Sequence, residues 1–142
     1  MTLPNKTPRT LLVTTALPYA NGPIHIGHMV EHVQADIWVR YQKIVGNDCT
    51  FLCADDTHGT PILIRARNEQ RTPENLIASV YESHVQTFKT YQINFDHYSS
   101  THSPTNKDLC NEFYLAMRDQ GHCQVRSIEQ TFCEHDNMFL PD

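Results

Sequence analysis

Two short segments hold the residue types best suited to chemistry, His25-Ile26-Gly27-His28 and Asp55-Asp56. The first lies where a loop rich in proline and glycine meets a helix-like pattern. A helix start presents unpaired N–H groups and the positive end of the helix dipole, a combination that suits an anionic phosphate. Gly27 has no side chain, so a phosphate or a flat adenine ring can approach the backbone there. Histidines three apart share a helical face and both reach a ligand lying across the helix start. Residue types alone leave three readings open: a nucleotide site, histidines that cap and pack, or a metal site built from His25, His28, Glu31 and His32. The zinc-protease order H-E-x-x-H is absent, which weakens the metal reading. Asp55 and Asp56 close a strand-like run, where a carboxylate can hold an ammonium group or a magnesium ion. The competing reading is a solvated turn, because an aspartate side chain hydrogen-bonds its own nearby backbone.

The elements that must position these residues follow from periodicity. Thr10 to Thr15 is a short apolar, β-branched run of the kind that forms a buried parallel strand. Leu17-Pro18-Tyr19-Ala20-Asn21-Gly22-Pro23 breaks it as a loop. Ile26, Met29, Val30, Val33, Ile37, Tyr41, Ile44 and Val45 then recur at helical spacing, and Gly46 sits where a left-handed cap would end that helix. The same spacing places Trp38 and Tyr41 in the core. Cys49 to Ala54 reads as a second strand, Asp55 to Pro61 as a loop, and Ile62 to Glu69 as a helix. Thr72-Pro73-Glu74 opens another helix to about Thr90, and Ser103-Pro104 opens one that Gly121 closes. Gln124 to Cys133 alternates like a strand, with a polar turn at Glu134 to Asn137.

Strand, loop, helix, strand, loop, helix is the opening of an α/β fold, a doubly wound parallel sheet. Such sheets bind ligands outside the carboxyl ends of their strands, and both unusual loops fall at that edge. The strands are too few for a whole nucleotide-binding fold, so the chain is expected to be part of a longer protein. A sheet that stops early should expose apolar strand edges.

Bulk properties agree with a globular protein. Of 142 residues, 39% are hydrophobic and 19% charged, and no apolar run approaches membrane-spanning length. No signal-peptide pattern follows Met1, which makes a cytoplasmic location the expectation. Five cysteines, with no C-x-x-C pair, read as reduced and mostly semi-buried thiols. A net charge of −5, with only Arg65, Arg67 and Arg71 clustered, places any main RNA-binding surface outside this chain. His84, His97, His102, His122 and His135 are dispersed and receive no role.

The segment from Ala16 to His28 resembles the signature loop of methionyl-tRNA synthetases, and Cys53 to Pro61 resembles the second block of that family. Ser100-Thr101-His102-Ser103 and Met138-Phe139-Leu140-Pro141-Asp142 are similar to it as well. H-I-G-H alone marks only class I synthetases and related nucleotidyl transferases, whereas A-L-P-Y-A-N-G is much narrower. The resemblance implies a Rossmann-like catalytic domain whose first half is residues 10–121, after a tail of residues 1–9. Residues 122–142 would begin a connective insertion that bears zinc in the family, with ligands past residue 142. It implies that His25, Gly27 and His28 bind ATP, with Mg2+, and stabilise the departing pyrophosphate. Ala16, Leu17 and Tyr19 would line a methionine pocket, and Asp56 would pair with the ammonium group. No metal ligand is assigned within the chain. The partners implied are L-methionine, ATP and tRNA(Met), the last mainly through other regions, and no membrane.

The family's K-M-S-K-S loop is absent from these residues, so the 142-residue chain alone is expected to form little or no adenylate. Two other readings remain. A sister synthetase or nucleotidyl transferase would activate a different substrate. A non-catalytic module would have no need to keep His25, Gly27, His28 and Asp56 together.

Overall fold

The computed structural model describes residues 7–140, so most of the expected tail and Pro141-Asp142 of the closing motif lie outside the described residues. Contacts divide the chain into a unit ending at Ser103 and a second unit starting at Pro104. The first unit holds β1 (Thr10–Thr14), α1 (Ile26–Ile44), β2 (Asp48–Asp55), α2 (Thr60–Asn68), α3 (Pro73–Thr90) and β3 (His97–Ser100). The second holds α4 (Pro104–Asp119), β4 (Phe132–Cys133) and β5 (Met138–Phe139).

Three parallel strands in the order β1-β2-β3 form the sheet of the first unit. Parallel neighbours need crossovers, supplied by α1 between β1 and β2 and by α2 with α3 between β2 and β3. The central strand alternates strictly. Cys49, Phe51, Cys53 and Asp55 are buried, while Thr50, Leu52 and Ala54 on the other face are exposed or half-buried. One core lies on the buried face, where Phe51 and Cys49 of β2 meet Met29 and Val39 of α1, Phe88 of α3 and Ile93. A second core joins Ala20 of the loop to Ile62 and Ala66 of α2 and to Leu76, Ile77 and Val80 of α3, and Tyr19 packs against it. The first loop is thus seated on α2 and α3, not suspended above the sheet.

Several expectations from periodicity need correction. β1 is a strand, but not a buried one. Leu11 and Val13 pack on the core, whereas Leu12 on the other face is 69% exposed. In α1 the buried positions are Met29, His32, Asp36, Val39 and Gln42. The stripe Ile26, Val30, Val33, Ile37, Tyr41 and Ile44 faces outward instead, and Trp38 and Tyr41 are 44% and 57% exposed, not core. The cause is polar side chains with tertiary partners. Asp36 accepts from the Asn94 N–H (3.0 Å) and pairs with Arg40 (2.6 Å), and the Arg40 guanidinium also donates to the Gln92 carbonyl. His32 packs edge-on against Phe88, with ring centroids 4.8 Å apart. The buried face of α1 is thus the one whose polar side chains have tertiary partners, not the one its apolar residues mark.

Other start and stop signals hold. The Thr72 hydroxyl accepts from the Asn75 N–H at 3.2 Å, Pro73 opens α3, and Gly46 and Gly121 adopt φ of +87° and +79° after α1 and α4. β3 carries no apolar run and is absent from the sequence reading. In the second unit, residues 122–131 form no strand, and only Phe132–Cys133 pairs, antiparallel to Met138–Phe139 across the turn with Asn137 at φ +52°. All five cysteines are free, as expected of reduced thiols. Only Cys133 is half-buried, with Cys49 and Cys53 buried and Cys110 and Cys123 exposed, contrary to the expectation of mostly semi-buried thiols. Among the described residues no helix is long and apolar enough to cross a membrane.

Candidate active site

The loop after β1 continues the sheet for two residues. The Asp56 N–H donates to the Pro18 carbonyl (2.9 Å) and the Ala20 N–H donates to the Asp56 carbonyl (2.8 Å), so Tyr19 and Asp56 stand side by side in a parallel bridge. Between β1 and this bridge the ladder is broken, and the Ala16 N–H donates instead to the Glu31 carboxylate of α1 (2.6 Å). Ala16, Leu17, Tyr19 and Asp56 are therefore brought together at the carboxyl edge of the strands, where open α/β sheets bind ligands. Ala16 and Leu17 are exposed, Asp56 is half-buried, and the Tyr19 phenol lies over the backbone of Gly59. Burial raises the Tyr19 pKa and the nearby Asp56 charge adds to it, against the backbone hydrogen bond at Ile62, so the phenol stays protonated.

His25 is the N-cap of α1. Its Nδ1 accepts from the Gly27 N–H (3.1 Å), and Nδ1 of His28 accepts from the His25 N–H (3.3 Å), a reciprocal capping box. The rings stack with centroids 3.8 Å apart. With Nδ1 accepting on both, each neutral imidazole carries its proton on Nε2 and offers an N–H donor there. Burial lowers the His28 pKa, and His25 and His84 lower it further, which keeps that ring neutral. No acidic residue occupies the first turn of α1, so nothing opposes an anion at the dipole end. The structure thus makes the histidines caps and leaves their Nε2 donors available. Capping and phosphate binding are not alternatives. A Cβ at Gly27 would lie 3.0 Å from the His25 ring, a tight contact that the ring would have to relieve by a small shift out of its capping position.

The four residues of the metal reading do not converge. Glu31 holds the Ala16 N–H, His32 is buried among Phe88 and Phe95, and among the described residues no group of three or more possible ligands could hold a metal ion. The arginine cluster is spent on structure. Arg65 pairs with Glu69 (2.7 Å) and donates to the Asn21 carbonyl, and Arg71 holds Ser79 (2.8 Å) and Asn75 (2.6 Å). Two clefts of this unit lie away from these residues. One of about 360 Å³ involves Arg40, Phe88 and Phe95, and one of about 640 Å³ involves Tyr81, His97 and His102. A third, of about 140 Å³, involves Gly22, Pro23 and Arg65 beside the loop that carries the candidate residues.

A family model described as tRNA synthetases class I (M) matches residues 11–142. The chain belongs to this family of class I tRNA synthetases. Two curated methionine–tRNA ligases illustrate the relationship. One from Leptospira interrogans is 55% identical over 134 residues, covering 94% of this chain and 19% of that protein. One from Bdellovibrio bacteriovorus is 53% identical, covering 94% of this chain and 20% of that protein. The chain therefore spans about a fifth of the length of these relatives. A LeuRS–tRNA–LeuAMS ternary complex from Agrobacterium radiobacter superposes with a TM-score of 0.76 at 22% identity, over 83% of this chain and 16% of that one. That likeness establishes the fold, the Rossmann-like sheet of a class I synthetase.

Within this synthetase unit the loop after β2 is tied down by two threonines of the family-like segments to which the sequence reading gave no role. Thr101 accepts from the Thr57 N–H (2.9 Å) and its hydroxyl meets that of Thr57 (2.8 Å), joining the ends of β2 and β3. Gly59 sits at φ +125° and ψ 161°, a region that only glycine occupies readily, and a Cβ there would lie 2.7 Å from the Tyr19 hydroxyl. Gly59→Ala is expected to destabilise the fold by about 1–3 kcal/mol from backbone strain. It should also displace Tyr19 and raise the KM for the amino acid. Melting curves and substrate titrations check the two effects separately, and an unchanged KM would show that Tyr19 does not face the substrate.

Proposed function

We propose that the chain carries the amino-acid-binding edge and one phosphate-binding edge of a methionine–tRNA ligase. The observation that supports this best is the Tyr19–Asp56 bridge, which sets a carboxylate and a phenol beside Ala16 and Leu17 on one edge of the sheet. Asp56 pairs with the ammonium group of methionine, while Ala16, Leu17 and Tyr19 receive the thioether side chain. A protonated phenol can donate to sulfur, which an aliphatic isostere cannot use. The methionine carboxylate attacks the α-phosphate of ATP, methionyl-adenylate forms and pyrophosphate leaves. The Nε2–H donors of His25 and His28, with the dipole end of α1, stabilise the charge that develops on the phosphates. Gly27 permits the ring geometry that aims them. No side chain acts as a nucleophile, and rate comes from placement and electrostatics. Magnesium would arrive with the nucleotide, since the described residues form no cage for it, and no step is assigned to it. Transfer to tRNA(Met) then uses regions beyond this chain, in the cytoplasm.

The test is amino-acid-dependent ATP–pyrophosphate exchange, with the full product of the reading frame and all twenty amino acids. Exchange with methionine alone is expected. Exchange with another amino acid would reassign the substrate, and none would leave a binding module.

A further inference from the structure

His84 takes no part in the chemistry above, yet it occupies the most constrained polar position of the unit. Its side chain is 1% exposed and that of its partner Asp55 is 0% exposed. Nδ1 lies 2.8 Å from Asp55 Oδ1, and Nε2 lies 2.7 Å from the carbonyl oxygen of Gly22. A carbonyl only accepts, so Nε2 carries a proton. Nδ1 faces a carboxylate, so a second proton lies on that side. The Tyr98 hydroxyl donates to the same Asp55 oxygen, and among the described residues the other oxygen, Oδ2, has no partner. A buried carboxylate so thinly satisfied depends on the imidazolium charge beside it.

The placement of this pair matters more than its strength. Gly22 stands three residues after Tyr19 and three before His25, midway between the amino-acid edge and the phosphate edge. Asp55 immediately precedes Asp56, and alternation along a strand turns their side chains to opposite faces. The neighbouring carbonyl, Asn21, is held by Arg65 from α2. Consecutive carbonyls at the crest of the loop are thus gripped by two cations on different helices.

We propose that His84 is a positioning residue for amino-acid activation. As a double donor between Asp55 and Gly22, it sets the height of residues 16–22 against the end of β2, and with it the approach of Asp56 to the substrate ammonium. The inference rests on the methionine-activation reading. It adds a dependence on pH whose sign follows from the surroundings. Burial pushes the His84 pKa down, but the Asp55 hydrogen bond, the Gly22 carbonyl and the Asp55 charge together outweigh it and hold the pKa above the ordinary histidine value. The groups facing it behave differently. His28 and His32 on α1 are shifted down, and Tyr98 on β3 is pushed well up by burial and by Asp55. Above the ordinary histidine range, His84 is therefore the member of this cluster that changes charge. The tether is complete below the unfolded histidine pKa and is lost as pH rises through the raised folded value.

The experiment measures methionine-dependent pyrophosphate exchange across pH for the full product of the reading frame, His84→Gln and Asp55→Asn, with melting curves for each. His84→Gln is expected to lower kcat/KM for methionine by about 100-fold, mainly through KM, because a loop shift of an ångström is that costly. Its KM for ATP should stay within about twofold of wild type. An alkaline fall of kcat/KM is expected in wild type and should be absent from His84→Gln. In Asp55→Asn it should move to lower pH, since removing the carboxylate charge releases the His84 proton more readily. Should His84→Gln fail to fold, the isosteric Asp55→Asn decides alone. An alkaline limb unmoved in Asp55→Asn, or methionine kinetics of a folded His84→Gln within about twofold of wild type, overturns the proposal. Wild-type protein without methionine-dependent exchange would instead refute the underlying functional reading.

Discussion

Replacing Asp56 by asparagine is expected to lower kcat/KM for methionine by about 100- to 1,000-fold, the scale of removing one partner from a desolvated charge pair. The substitution is close to isosteric, and the backbone of residue 56 keeps its bonds to Pro18 and Ala20, so the bridge to Tyr19 should survive. The loss should appear mainly in KM for methionine, with KM for ATP little changed, because the donors proposed for ATP sit on α1. A second signature follows from the Tyr19 phenol, whose raised pKa is due in part to the Asp56 charge. Asp56→Asn should lower that pKa, observable as an earlier onset of tyrosinate absorbance on alkaline titration. Wild-type methionine kinetics in a folded Asp56→Asn protein would remove Asp56 from the substrate site.

The second large effect is expected at His28. His28→Ala removes one Nε2–H donor and the acceptor that holds the His25 N–H. Loss of a preorganised donor at a site of developing charge costs about 100- to 1,000-fold in kcat, and loss of the cap costs about 1 kcal/mol of stability. The two can be separated. His28→Asn retains a short side chain able to accept from the His25 N–H and should recover much of the stability without the rate, because it lacks the imidazole donor. If His28→Asn restored kcat along with the melting temperature, the role of His28 would be that of a cap alone. Methionine binding measured at equilibrium should be little altered in either variant, in contrast to Asp56→Asn.

Much of this site was legible before any coordinates. The loop Leu17–Pro23, the start of α1 after His25, the end of α1 at Gly46 and the entry into α3 at Thr72-Pro73 are local devices. Each depends on a few neighbouring residues whose φ/ψ preferences and hydrogen-bonding groups act within one turn of chain. The family resemblance was legible for the same reason, being carried by two contiguous blocks at Ala16–His28 and Cys53–Pro61. β3 was illegible. His97-Tyr98-Ser99-Ser100 has neither alternation nor an apolar run, and it is a strand because β2 offers it a free edge.

The orientation of α1 shows where residue patterns fail. Its apolar residues mark one face, yet the buried face carries His32, Asp36 and Gln42. Asp36 and Gln42 are bonded by groups distant in sequence, and the His32 ring packs against Phe88 and Phe95. A hydrophobic pattern weighs every residue by its own transfer energy and cannot see a partner that satisfies a polar one. His84 was missed for that reason too. Dispersed histidines look alike in a sequence, and this one differs only because Asp55, 29 positions earlier, and Gly22, 62 positions earlier, converge on its two ring nitrogens. Residue identity therefore marked His25, His28 and Asp56 as candidates, by type and by neighbours, and left open whether they cap, pack or bind. Folding decided which of them face one another and which buried pair holds them there, because burial and charge pairing are properties of three-dimensional surroundings that no local pattern encodes.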